Sequence, residues 1–133
     1  MIVAVRIRAG RACDIYVLEH NTRMDLVDFL NELECSARKE YTKIMALLAR
    51  TADYGPMYGN YERFKRLKDD IFEFKTHGGV RVLCFFDGRS IIVLTNGFKK
   101  KKEYADDITR AVHLRTAYMN AKNNDSLTYR NDL

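Results

Sequence analysis

"VRVLCFFDGRSIIVLTNGF", residues 80–98, decides the fold. Two apolar runs rich in β-branched and aromatic residues flank Asp87-Gly88, a dipeptide suited to a two-residue hairpin turn that needs positive φ. Such a turn predicts an antiparallel pair in which Phe86 faces Arg89, Val82 faces Val93 and Arg81 faces Leu94. One side would then carry Val80, Val82, Cys84, Ile91 and Val93, and the other Arg81, Leu83, Ile92, Leu94 and Asn96.

Just upstream, "IFEFKT" (71–76) alternates and "HGG" turns, which adds a third antiparallel strand. If Gly78-Gly79 alone form the loop, Lys75 falls on the side of Val82. If His77 joins them, Lys75 sits opposite Arg81, and Phe72 and Phe74 enter a core with Val82 and Cys84. The second register buries two phenylalanines and gathers the charges, so it is preferred. It predicts a cationic face holding Lys75, Arg81, Asn96 and Lys100, with Glu73 beside them. A guanidinium among apolar residues needs an acceptor, either Glu73 or a phosphate.

Downstream, the strand runs into "KKKK", residues 99–102. Four adjacent ammonium groups repel one another, so either water solvates them or an anion sits there. Strand alternation puts Lys100 on the face of Asn96. Lys101 and Lys102 are expected to open the turn into a final helix, exposed. In that helix Ala105, Ile108, Val112 and Met119 fall on one side.

The first part of the chain predicts a hairpin, residues 2–8 and 12–18 around Ala9-Gly10-Arg11. Thr22 and Asp25 have capping-box spacing. Leu26, Leu30, Leu33, Ala37, Tyr41, Ile44 and Leu48 then recur at helical spacing, predicting one long helix or a helical hairpin broken near Ser36. Acids lead and bases follow (Lys43 and Arg50 among them), an order that suits the helix dipole. Residues 61–68 are ambiguous between a short strand and a helical turn. The sum is an α+β domain: a mostly antiparallel sheet, an N-terminal helix or helical hairpin on its Val82/Cys84 side, and a C-terminal helix. One domain over 1–121 is expected, with 122–133 a flexible tail.

The 133 residues suit one ordinary domain, and 47% hydrophobic content suffices for one core. The net charge of +5 is uneven: residues 1–59 carry eight Lys/Arg against eight Asp/Glu, and residues 60–133 fifteen against ten. A basic second half points to a polyanion, nucleic acid first. Three cysteines without a CxxC spacing predict free thiols in a reducing cytoplasm. The three histidines form no metal-ligand pattern, and no cofactor is expected. No apolar run is long enough to predict a membrane span.

Residues 71–111, "IFEFKTHGGVRVLCFFDGRSIIVLTNGFKKKKEYADDITRA", resemble the signature segment of RelE/HigB-type toxins of bacterial type II toxin–antitoxin systems, in their phage-derived branch. The matches are Phe72-Glu73-Phe74-Lys75, Val80-Arg81-Val82, Asp87-Gly88, Gly97-Phe98 with Lys99 to Lys102, and Ile108 with Ala111. Lys75 stands where the family has Arg, Asn96 where it often has His, and the Pro that often opens the last helix is absent. The resemblance implies a RelE-like fold and a metal-independent endoribonuclease that cuts mRNA on the ribosome through the RNA's own 2′-hydroxyl. It implies catalytic roles for Lys75, Arg81, Asn96, Lys100 and Tyr104, with Arg81 clamping the phosphate. RNA contacts would come from Lys68, His77, Lys99, Lys101 and Lys102. The implied partners are the ribosome, mRNA and a cognate antitoxin, a small helix-turn-helix protein; a homodimer is compatible with this. The alternative is a non-catalytic protein of the RelE/ParE fold, a gyrase inhibitor or a phage relic that binds antitoxin or DNA.

Overall fold

The computed structural model describes residues 1–131. A seven-stranded sheet lies between two helical layers. The chain runs β1 (Ile2–Arg8), β2 (Asp14–His20), α1 (Asp25–Ser36), α2 (Arg38–Tyr54), β3 (Phe64–Arg66), β4 (Phe72–Lys75), β5 (Val80–Phe86), β6 (Ile91–Lys99), α3 (Ala105–Asn123) and β7 (Thr128–Arg130). The strand order is β3-β4-β5-β6-β2-β1-β7. All pairings are antiparallel except β2 with β6 and β1 with β7. The fold is α+β, as the sequence predicts.

The helical stripe breaks at Ala37 into a hairpin of two helices. Leu26, Leu30, Leu33, Ile44 and Leu48 pack against Val82, Cys84, Phe74 and Leu94 on one face of the sheet. The expected side is therefore the observed one. The capping box is not formed: Met24 is the N-cap residue of α1, and Thr22, at φ +69°, donates its hydroxyl to the adjacent Asn21 carbonyl.

The β4–β5 register is the preferred one, with Lys75 opposite Arg81 and Phe74 opposite Val82. The β5–β6 register differs from expectation by three residues. Phe86 pairs with Ile92 and Cys84 with Leu94, so Ile92 and Leu94 share the α1/α2 face with Cys84. Ile91 and Val93 join Leu83 and Phe85 on the other. An odd shift exchanges the faces of a strand. Tertiary bonds override the two-residue turn. The Asp87 amide donates to Ile91, and the Ser90 carbonyl accepts from Asp14 of β2. The Asp87 carboxylate is held by the Tyr118 hydroxyl at 2.5 Å and by Lys122 at 2.7 Å.

A bulge then corrects the parity. Between Leu94 and Gly97 strand β6 gains one residue over β5, so Val82 pairs with Gly97 and Arg81 with Phe98. Asn96 and Arg81 thus do face the same layer, by a route the turn alone does not predict. Gly97 turns toward α1, where a Cβ would lie 2.6 Å from the Phe29 ring. Only glycine lets the helix approach this closely.

α3 covers the second face through Ala111, Leu114, Tyr118 and Ala121. This corrects the expected stripe: Ile108, Val112 and Met119 are only partly buried at its margin. Part of the expected tail has regular structure within the described residues. Residues 122 and 123 finish α3, and β7 adds to β1 in parallel, with Tyr129 edge-on to Tyr16 at 5.7 Å. The remainder of that tail, 132–133, lies outside the described residues.

The Asp87 latch has a testable pH signature. Burial opposes ionisation, but hydrogen bonds from Lys122 and Tyr118 hold its carboxyl below the usual range. A depressed carboxylate contributes stability above its unfolded pKa, ordinarily about 3.9, and loses it as pH falls through the lower folded value. Asp87→Asn is expected to cost about 1.5–3 kcal/mol at pH 7. Its melting temperature should also fall less than the parent's on acidification below about pH 4. Parallel thermal melts of both proteins from pH 7 to pH 3 check this.

Candidate nucleic-acid interface

The expected site residues divide by depth. Lys75, at the end of β4, is half-buried and donates from Nζ to the Tyr61 carbonyl at 3.1 Å. His77 is exposed in the β4–β5 turn. Across that turn the Lys100 amide donates to the Gly79 carbonyl at 2.5 Å, which brings the lysine run to the same end of the sheet. Lys99 pairs with Val80 and reaches the α1 side, lining a shallow cleft with Phe29, Glu32 and Ser36. Lys100 and Lys102 are exposed. Lys101 is less free than expected: Nζ lies 2.9 Å from Asp107 and 5.4 Å from the Phe98 ring centre. Tyr104, the N-cap residue of α3, packs on Phe98 with ring centres 5.4 Å apart.

Two expected catalytic residues lie beneath this rim. Arg81 is 8% exposed and Glu73 only 2%. Arg81 Nε is 3.3 Å from Glu73 Oε1, and one terminal nitrogen donates to the Thr76 and Val80 carbonyls. Of the two acceptors the sequence allowed, the carboxylate occupies the guanidinium here. Burial pushes the Glu73 carboxyl up, and Lys75, Arg81 and Lys65 oppose that shift. Asn96 is 4% exposed and donates its amide to the Asp107 carbonyl of α3, leaving Oδ1 buried without a partner. An open face presenting Arg81 and Asn96 is therefore not what the fold displays, because Arg81 is enclosed beside Glu73 and α3 lies over Asn96.

Lys68 is not brought to the site. It sits in the β3–β4 turn, at the Phe72–Cys84 end of the β4–β5 ladder, opposite the Lys75–Arg81 end. Its neighbours there are Asp69 and Asp70, and Asp70 pairs with Arg66 at 2.7 Å.

Other cations replace it. A cleft of about 400 Å³ between α2 and the β3–β4 edge is lined by Lys43, Arg50, Arg63, Lys75 and His77. Lys43 and Arg50 read in the sequence only as dipole-complementing helix residues. Their seven-residue spacing places them near one face of a helix, a signal that could have marked them. Glu40 borders this cleft but is engaged. It accepts from the Thr76 hydroxyl at 2.6 Å and meets Lys43 at 3.5 Å, and the Thr76 bond leads in holding its carboxyl below the ordinary range.

Among the described residues no helix is long and apolar enough to cross a membrane. Cys13 and Cys84 are buried and Cys35 is exposed, all as free thiols.

A mixed seven-stranded sheet, a helical hairpin on one face, a C-terminal helix on the other and a lysine rim at one end define an α+β protein. The family described as phage derived protein Gp49-like (DUF891) matches residues 28–121. The chain belongs to this phage-derived family. No curated protein matches the chain.

Proposed function

We propose that the protein is the toxin of a type II toxin–antitoxin pair and that it cuts mRNA on the ribosome. The observation that carries this reading is the cationic end of the sheet, where Lys75, His77, Lys100, Lys102 and Tyr104 surround the β4–β5 turn and the end of β6. Anchored cations of this kind suit phosphate binding and charge stabilisation at phosphorus. In the proposed step the RNA 2′-oxygen loses its proton to a base and attacks the adjacent phosphorus. The 5′-oxygen leaves with a proton, giving a 2′,3′-cyclic phosphate and a 5′-hydroxyl. Lys75 and Lys100 would hold the phosphate, and Lys101 and Lys102 ribosomal RNA. Arg81 would act from below, through the Thr76–Val80 turn it braces, or by exchanging Glu73 for phosphate when the site opens.

A cognate antitoxin would cover this rim with carboxylates, because opposite charges across an interface speed and specify docking. Pulse labelling after induced expression tests the reading. Protein synthesis should stop before DNA or RNA synthesis, and co-expression of the antitoxin should restore it.

A second reading has its own support. Arg81 is paired and Asn96 is covered, so the fold also suits a protein that binds without cutting. If DNA synthesis stops first, that reading, in its gyrase-inhibiting form, replaces the first.

A further inference from the structure

We infer that the loop joining α2 to β3, with the cleft beside it, is a stacking platform for single-stranded RNA. The stretch "DYGPMYGNYERFKR", residues 53–66, places Tyr54, Tyr58 and Tyr61 at spacings of four and three. In the fold they are 73%, 68% and 68% exposed, while most other large apolar side chains are buried. Tyr58 and Tyr61 stand on the loop and line a second cleft of about 380 Å³ with Phe64, Arg66 and Phe72, while Tyr54 closes α2 beside Arg50 of the cationic cleft. Exposed aromatic rings next to cations suit a ligand that covers both.

The Tyr54 and Tyr58 rings and the backbone of the loop are held in place. The Arg50 guanidinium lies 5.5 Å from the centre of the Tyr54 ring. Tyr58 stands edge-on to buried Phe64, with centres 5.7 Å apart. Lys75 grips the Tyr61 carbonyl, and the Lys75 amide donates to the Arg63 carbonyl at 2.8 Å. Within the loop the amides of Asn60, Arg63 and Phe64 donate to the carbonyls of Met57 and Asn60. Much of the ordering cost of binding is thereby met in advance.

The chemistry selects the ligand. Phosphates would follow the cations of the cleft, where no carboxylate lies within ion-pair distance of Arg50, Arg63 or Lys75 among the described residues. Bases would stack on the tyrosines. Grooves that pair a basic track with aromatic faces bind single strands with little sequence preference. A duplex hides its base faces and would gain only the electrostatic part. An acidic peptide could use the cations but has less use for three open rings. This deepens the RNA-directed reading above, adding a second contact that adjoins the lysine rim through Lys75 and His77, which line the cleft.

The test uses the purified full chain and a labelled oligouridylate of roughly ten nucleotides, followed by fluorescence anisotropy at two salt concentrations. No ribosome and no cleavage are needed, so binding can survive even if the toxin reading fails. Tyr54→Ala and Tyr61→Ala, at exposed positions, should each weaken binding about 5-fold or more, and the Phe variants should bind as the parent does. Arg50→Gln should lower the salt slope by roughly 0.7. A duplex of equal length should bind more weakly than the single strand. Tyrosine variants that bind as tightly as the parent would overturn the platform, leaving a general polyanion surface. So would tighter binding of a polyglutamate peptide than of oligouridylate, which would make the cleft a protein-docking face.

Discussion

Replacing Arg81 with alanine is expected to lower stability by about 3–5 kcal/mol, because it leaves the buried Glu73 carboxylate without its partner. The pair is 3.3 Å apart, and both side chains are almost fully enclosed. The sequence alone suggests the opposite outcome, a folded but inactive variant, since an arginine on an open face takes no part in a core. Chemical denaturation should show a lowered midpoint. Replacing both partners, as Arg81→Met with Glu73→Leu, should recover most of the loss, because two well-packed apolar residues carry no unpaired charge. The double variant then separates fold from function. If it folds and arrests growth, the guanidinium serves structure alone. If it folds and is inert, the guanidinium also serves the reaction.

Removing Lys100 is expected to slow cleavage of RNA already placed on the ribosome by about 100-fold, the scale of losing one pre-aligned charge at a transition state. Removing Lys102 should instead weaken ribosome association, more visibly as salt rises, since exposed phosphate contacts are screened. The fold sharpens this division. Lys100 is fastened at its backbone to Gly79, next to the Lys75–Arg81 pair. Lys102 stands free of the sheet, in the turn before α3. Lys99 points to the α1 side, so its loss should matter least. A single-turnover assay at saturating ribosomes, beside a binding titration at two salt concentrations, checks all three. Equal loss of rate from Lys100 and Lys102 variants at saturation would show that the run acts as one unit.

Much of the fold was legible because it rests on local pattern. The strands around Val82 and Val93, the helical stripe from Leu26 to Leu48 and the Lys75–Arg81 register all follow from alternation, periodicity and the need to bury Phe74. What was not legible depends on distant partners. Asp87-Gly88 reads as a tight turn, yet Tyr118 and Lys122 claim the Asp87 side chain from across the chain. The bulge at Thr95–Asn96 leaves no mark in the sequence beyond Gly97. Tyr118, which the expected stripe of the final helix did not include, is fully buried, and its hydroxyl finds Asp87. The site suffered from the same blindness. A basic residue announces its charge but not whether a carboxylate awaits it, so Arg81 read as open and Lys68 read as near. The tyrosines of the α2–β3 loop carried a signal that charge counting passes over.

The most direct test of the central claim is to incubate the purified protein with programmed ribosomes and map the mRNA ends. New 5′-hydroxyl ends within the ribosome-bound stretch, paired with 2′,3′-cyclic phosphates and absent without ribosomes, are the predicted result. Intact message under conditions in which the protein still halts growth would contradict it.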